Sequence, residues 1–527
     1  MRASTILAAG LLAAVLAALG FGGWAARAGG LLDAGLGWLA VRQALMWFDR
    51  GVFCSVLATG LLAAWRWRTG GVPAVASPRL AAWAWIALVS VLRGLLLFAA
   101  PSPRGPNLVL ISIDTLRADH LSCYGHPRPT SPAIDQRLAA AGVVFEHAYS
   151  QAPKTTPSHM TMFTALYPSV HGVTMWEGTG ERAVLNPRAH TLAEILQNAG
   201  YATAAFTGGG PMHRSRGFDH GFEIYRHDRQ LERARKWLGG RGQQKFFLFF
   251  HTYDVHDPYT PPDDYIAAFA PGAHGPLLDT ARAIRSHPVG WEAAHKRFWD
   301  AADPNDPASV DLLRGLYDAG IRKTDDQTMT PLLRALERLG RDQDTLVVLV
   351  ADHGEAFLEH GVFLHEDVYG ETTHVPWILR WPGVLPAGRR IATPVGLVDL
   401  MPTLLELMGI SLPFEVQGQS LAAAVRGGDV TPRPVISELT THQAGAFQQA
   451  VRVGDDRLVI PAGPPRLFDL AHDPGEQHDV AATNPERVTA LTAELDRWRT
   501  ACARLGPRFG PTGEGAAPDA DTLRRLK

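Results

Sequence analysis

The feature that most constrains the fold is a set of short, almost wholly apolar runs that end in an acid or a histidine. They are "NLVLISID" (107–114), "QKFFLFFH" (244–251) and "TLVVLVADH" (345–353). Runs without polar alternation read as strands buried on both faces. Helical stretches alternate with such strands, as in "HTLAEILQNAGYATAAFT" (190–207) and "PLLRALERLGRDQDTLVVLVADHGE" (331–355). The alternation predicts an α/β domain with a largely parallel central sheet. Ligands of such sheets sit at the carboxyl ends of the strands, so the residues to inspect are Asp114, Thr155, His251, His256, Asp352 and His353.

The chain has 527 residues, 46% of them hydrophobic, and a net charge of -2, which lacks the basic excess of a nucleic-acid binder. Charge is unevenly spread. Residues 4–26 carry none and are long enough to span a bilayer, and further apolar stretches lie at 51–65 and 80–100. A cleaved signal peptide would account for the first alone, so a multi-pass anchor of about three helices over 1–103 is expected. Arg2, Arg66, Arg68 and Arg79 put the flanking segments on the cytoplasmic side and the rest of the chain outside the inner membrane. Residues 30–48, with Asp33 and Arg42, suit an interfacial helix or a fourth span. Cys123 and Cys502 do not by themselves establish a bridge.

From about residue 434 the pattern changes to short strand-like pieces and one helix, "PERVTALTAELDRWRTACARL". This reads as a smaller C-terminal α+β subdomain over 434–505. Residues 506–527, rich in Gly, Pro and Ala, read as a disordered tail. The segment 270–310 is placed over the mouth of the pocket.

Asp114, Asp352 and His353 offer two carboxylates and an imidazole, a donor set suited to a divalent metal ion, with Zn²⁺ or Mn²⁺ favoured and Ca²⁺ as an option. Such an ion would lower the pKa of the Thr155 hydroxyl and draw charge from an ester oxygen. "APKTTPSHM" (152–160) allows two readings. Thr156 before Pro157 fits an N-cap with proline at the first helical position. Thr155 equally fits a nucleophile held where a helix N-terminus favours an anion. His256 and His365 are candidates for protonating the leaving group, binding its oxygens or holding a second metal; Lys154 and His251 are candidate substrate contacts, and His360 reads as structural.

Six segments together, "PNLVLISIDTLRADHLSCYG", "TTPSHMTMFTALYPSVHGV", "TLAEILQNAGYATAAFTGGG", "VADHGEAFLEHG", "VDLMPTLLELMGI" and "RLFDLAHDPGEQHDVA", resemble the sulfatase branch of the alkaline-phosphatase-like superfamily, in order from about 106 to 500. The resemblance implies a sulfatase-like catalytic core over 104–433. Two positions depart from it. Sulfatases carry Cys or Ser in C-x-P-S-R, oxidised to formylglycine, where this chain has Thr155 and ends the motif in His159; Thr115 stands where a second metal-binding Asp is usual. The departures resemble the threonine-dependent phospho-transferring members, such as phosphoethanolamine transferases and lipoteichoic acid synthases, and carry over His256 and His365 as further metal or phosphate ligands.

The chemistry agrees with that direction. A sulfated formylglycine hydrate can expel sulfate by elimination, whereas a threonine ester has no such exit and a phosphothreonine can be attacked at phosphorus. The expectation is therefore a membrane-anchored, metal-dependent hydrolase or transferase acting on phosphate esters through Thr155, with a lipid or surface glycan as substrate. The alternatives are a sulfate ester hydrolase lacking formylglycine and a catalytically silent binding protein.

Overall fold

A computed structural model describes residue 103 and residues 105–174, 183–227, 231–412, 414–440, 447–461 and 463–511. The apolar stretches on which the membrane expectation rests, and residues 512–527, lie outside the described residues. Among the described residues no helix is long and apolar enough to cross a membrane.

In chain order the strands are β1 (Asn107–Ile113), β2 (Val143–Tyr149), β3 (Ala202–Phe206), β4 (Ile224–Arg226), β5 (Phe246–Thr252), β6 (Thr345–Val350), the hairpin β7 (Ala356–Phe357) and β8 (Phe363–Leu364), β9 (His374–Arg380), β10 (Arg389–Ile391) and β11 (Val395–Gly396). All but the hairpin form one nine-stranded sheet in the order β10-β2-β9-β6-β1-β5-β3-β4, with β11 also on β2. The apolar runs form its centre: β1 lies parallel between β5 and β6, with Ser112 opposite both His251 and Val350. This register brings the ends of three strands to one edge.

The sheet is largely parallel, as the sequence predicts, but β9 runs against both β6 and β2. The reason lies between β6 and β9. Residues 351–373 contain the short hairpin and no crossover helix, so the chain stays at the carboxyl edge and the next strand must return from there. Trp377 of β9 is fully buried, its ring centroid 4.4 Å from that of Phe145.

Four helices matter for the site: α1 (Thr155–Thr164), α2 (Trp291–Asp300), α3 (Pro307–Thr324) and α4 (Pro485–Phe509). Helix α1 starts earlier than the capping reading places it. Lys154 is its N-cap residue, and Thr156 lies in the first turn with its hydroxyl donating to the Pro211 carbonyl at 2.9 Å. From α3, the Tyr317 hydroxyl donates to the Thr115 carbonyl at 2.6 Å and accepts from the Arg117 N–H at 2.9 Å. That clamp holds the turn after β1, where Thr115 has φ +58°, a conformation costly for a β-branched residue.

The C-terminal part is an antiparallel meander, β12 (Val435–Thr440), β13 (Phe447–Val453), β14 (Asp456–Ile460) and β15 (Arg466–Asp469), followed by α4, which continues past residue 505 to Phe509. Val368 and Tyr369 pack with Leu439, Ala450, Val459 and Phe468 of this sheet. Beneath them Arg457, 1% exposed, lies 3.0 Å from the Glu476 carboxylate and donates to the Val368 carbonyl and the Thr373 hydroxyl. His360 donates to Glu371, reaches the Glu476 carbonyl and stacks on Tyr369, in keeping with a structural role. Cys123 and Cys502 are both free thiols.

Removing one partner of a buried ion pair leaves the other uncompensated. Arg457→Leu should therefore lower stability by ~3–5 kcal/mol in chemical denaturation. Arg457→Leu/Glu476→Leu should recover most of the loss, and equal losses for the single and double variants would show that the pair is not coupled.

Candidate active site

The site grows from the two acids at the ends of adjacent strands. Asp114 follows β1, Asp352 follows β6, and both side chains are fully buried. One oxygen of each is satisfied by protein: Asp114 Oδ2 lies 3.0 Å from His251 Nε2, and Asp352 Oδ1 accepts from the Thr115 N–H at 3.4 Å. The other oxygens, Asp114 Oδ1 and Asp352 Oδ2, have no hydrogen-bond partner among the described residues. Asp114, Asp352 and His353 each offer a ligand atom within 4.8 Å of the others.

Burial and the Asp114 carboxylate push Asp352 well above the usual range. Burial also opposes ionisation of Asp114, but the His251 hydrogen bond and the positive charge nearby outweigh it and hold its carboxyl below that range. Two buried acids with unpaired oxygens are costly unless a cation lies between them. The residues present thus fit a divalent metal ion. A separate grouping of His120, His126 and Asp318 fits one less well, because Arg128 already donates to the Asp318 carboxylate at 3.0 Å.

Partners further out fix which nitrogen of each histidine faces the centre. His353 Nδ1 donates to the Gly354 carbonyl at 2.9 Å, which leaves Nε2 as an acceptor, 3.8 Å from Asp114 Oδ1 and 3.4 Å from Asp352 Oδ2. Burial lowers its pKa to about 4, so the ring is neutral near pH 7. His251 Nδ1 accepts from the Gly208 N–H at 3.2 Å, so its Nε2–H donates to Asp114. Both nitrogens of this candidate substrate contact are therefore engaged within the protein, and the ring orients Asp114.

His256 has the opposite electrostatics. Burial disfavours its charge, yet the Asp257 carboxylate, 3.0 Å from Nδ1, raises its pKa to about 10. Its Nε2 lies 4.0 Å from Asp114 Oδ1. His365 is held neutral by burial and by its histidine and lysine neighbours, with Nδ1 3.2 Å from Glu355 Oε1 and its ring 4.5 Å from that of His353. Glu355, fully buried, is pushed up to about 8 and accepts from the Tyr259 hydroxyl at 2.9 Å. Lys154 forms an ion pair with Glu366.

Thr155 is the first residue of α1 and 3% exposed, with Oγ1 3.5 Å from His353 Nε2. Unpaired N–H groups and the positive dipole end of the helix favour an anion at this point. His159, one turn on, donates from Nδ1 to the Thr155 carbonyl at 2.8 Å, while its Nε2 accepts from the Ser112 hydroxyl at 2.9 Å. Asp114, Thr155, His251, His256, Asp352, His353 and His365 are thus brought into one cluster, with Lys154 beside Thr155.

Sequence reading did not select His159, Asp257, Tyr259 or Glu355. Asp257 and Glu355 had a visible signal, since they stand beside His256 and two residues after His353. The Sulfatase family profile matches residues 106–410. The chain belongs to the sulfatase family. It is an enzyme of that superfamily, whose members are metal-dependent, typically through Ca²⁺ or Mg²⁺.

Curated relatives of this sulfatase-family enzyme include arylsulfatase K of Mus musculus, 25% identical over 77% of this chain and 83% of the relative. Steryl-sulfatase of Mus musculus is 26% identical over 80% and 85%. Among solved structures, one in complex with its substrate D-glucosamine-2-N,6-O-disulfate aligns with a TM-score of 0.62 at 18% identity, covering 76% of this chain and 99% of the other. Phosphonate monoester hydrolase of Agrobacterium radiobacter aligns at 0.59 and 22% identity, over 76% and 96%. These likenesses establish the alkaline-phosphatase-like fold of the family.

The full-length protein should bind a divalent ion stoichiometrically, measured by elemental analysis after dialysis. Asp352→Ala should lose it, and His360→Ala, outside the cluster, should keep it. The ion at ~100 times its Kd should add about 2.7 kcal/mol to the stability of the wild type and almost nothing to that of Asp352→Ala.

Proposed function

We propose that this enzyme hydrolyses sulfate esters. The observation that carries the reading is the pair of unpartnered carboxylate oxygens on Asp114 and Asp352 beside His353 and the Thr155 hydroxyl. The sulfatase relatives, matched over most of the chain, favour sulfate as the anion. Asp114, Asp352 and His353 would hold the metal ion, whose identity follows the family toward Ca²⁺ or Mg²⁺ although the mixed donor set also suits Zn²⁺ or Mn²⁺. When bound, it supplies positive charge to the non-bridging oxygens of the ester.

The chain's own residues divide the rest of the work. Thr155 and the N-terminus of α1 hold the sulfate oxygens and orient water toward sulfur. As the water oxygen bonds to sulfur, the bond from sulfur to the alcohol oxygen breaks. His256 Nε2 gives its proton to the departing oxygen, and neutral His365 takes the proton lost by water. Asp257 keeps His256 charged, Glu355 and Tyr259 orient His365, and Lys154 adds charge at the anion. His251 and His159 are positioning residues behind Asp114 and Thr155.

A second reading is favoured by the identity of Thr155 itself. Its hydroxyl can attack phosphorus while the alcohol leaves, and the phosphothreonine is then opened by water or by an acceptor alcohol. No formylglycine precursor stands at this position, which is why the two anions must be compared directly.

We also infer an anchor over residues 1–103 with the catalytic core, 104–433, and the subdomain, 434–505, outside the cytoplasm. Its support is the three uncharged or nearly uncharged stretches and their flanking arginines. A tethered site would meet glycan or lipid esters at high local concentration. The full chain should stay with membranes through alkaline carbonate and be digested by protease in spheroplasts; release by carbonate would remove the anchor.

The deciding measurement is a set of initial rates of the full-length protein on matched 4-nitrophenyl sulfate, phosphate and phosphodiester substrates, beside Thr155→Ala. Sulfate turnover reduced about 10–1,000-fold by Thr155→Ala, with phosphoesters poor, is the expected result. Faster phosphoester cleavage abolished by Thr155→Ala would replace it with the phosphothreonine route. No turnover of any ester would support a silent binding protein.

A further inference from the structure

Helix α2 lies in the segment 270–310 and is tied to the active site through one carboxylate. Asp257 Oδ2 accepts from His295 Nδ1 at 2.5 Å and from Trp299 Nε1 at 3.0 Å, while Asp257 Oδ1 faces His256 Nδ1 at 3.0 Å. One turn before His295, Trp291 stacks on the His295 ring with centroids 4.8 Å apart and planes 30° apart. The same indole lies 6.5 Å from the ring of His256. Trp291 is nevertheless 50% exposed.

A single exposed apolar side chain on a surface needs no explanation. Trp291 differs in its setting. Its ring stacks on His295 and is half exposed, near the histidine that lies 4.0 Å from Asp114, and Asp257 binds His295 and Trp299 of the same helix. A half-exposed indole at the rim of a polar cluster is a surface for a flat or C–H-lined ring, because aromatic faces prefer stacked partners with centroids ~4.5–7 Å away.

We propose that Trp291 is a specificity-determining platform for the leaving group, so that the alcohol half of the ester presents a ring attached directly to the bridging oxygen. The ring, a pyranose or an aryl group, lies on the exposed part of the Trp291 indole while the anionic half sits at Asp114, Asp352 and His353. His256 then faces the bridging oxygen between the two. This assignment rests on the ester hydrolase reading but not on which anion is cleaved.

The test varies the leaving group while the anion that turns over is held constant. Wild type, Trp291→Ala and Trp291→Phe, all full length, are compared on the 4-nitrophenyl ester, a glucose 3-O-ester and the ethyl ester. Trp291→Ala should lower kcat/KM about tenfold on one or both ring esters, mainly through KM, leave the ethyl ester unchanged, and be largely rescued by Trp291→Phe. The ring ester that loses more identifies the ring type. An equal loss on ring and ethyl esters, or no loss on either ring ester, overturns the platform.

Saturation-transfer NMR with free phenol and methyl glucopyranoside keeps this test separate from the activity itself. A signal in the wild type that Trp291→Ala removes supports the subsite even if none of these esters is cleaved. Absence of signal for both rings in the wild type overturns it.

Discussion

Everything at this site depends on bringing two carboxylates together inside the protein. Asp114 and Asp352 stand at the ends of neighbouring parallel strands, both fully buried, and each keeps one oxygen without a hydrogen-bond partner among the described residues. Such a pair is destabilising by itself, since burial and mutual repulsion both oppose charge. A fold that retains it has a core strong enough to tolerate the strain: β1, β5 and β6 are continuous apolar strands with almost no exposed surface. The Tyr317 clamp on the Thr115 turn is part of the same support.

Around the acids, five histidines take different characters from their outer partners. Carbonyls or N–H groups hold the rings of His159, His251 and His353 in chosen tautomers. His256 Nδ1 reaches the Asp257 carbonyl at 2.9 Å with the carboxylate 3.0 Å away, which raises its pKa, whereas His365 beside Glu355 is kept uncharged by burial and its histidine and lysine neighbours. An acid and an acceptor thus stand side by side, their ring centroids 5.7 Å apart. Two imidazoles of identical chemistry differ because the Asp257 carboxylate outweighs the burial of His256, whereas burial and nearby histidine and lysine side chains hold His365 neutral.

Much of this was legible locally. Apolar runs ending in Asp or His identify the sheet and the edge to search for a ligand, because strands buried on both faces are apolar along most of their length and turn polar at their ends. The antiparallel return of β9 was not legible, since "HVPWILR" reads the same in either direction and only the missing crossover before it sets the sense. The start of α1 was shifted for a similar reason: a Thr-Pro pair is a valid cap in isolation, and it is tertiary packing that puts Lys154 at the cap and Thr155 against His353.

By itself, the sequence determined the α/β class, the family, and the residue types gathered at the strand ends, since periodicity and motif order are properties of neighbouring residues. Only the tertiary structure decided which oxygens are left unpaired, which histidine is charged, and that α2, far along the chain, supplies Asp257 with His295 and Trp299 and sets Trp291 beside His256. Those properties depend on distances of a few ångströms between residues remote in sequence. Burial and hydrogen bonding, which fix protonation and orientation, exist only after the chain has packed.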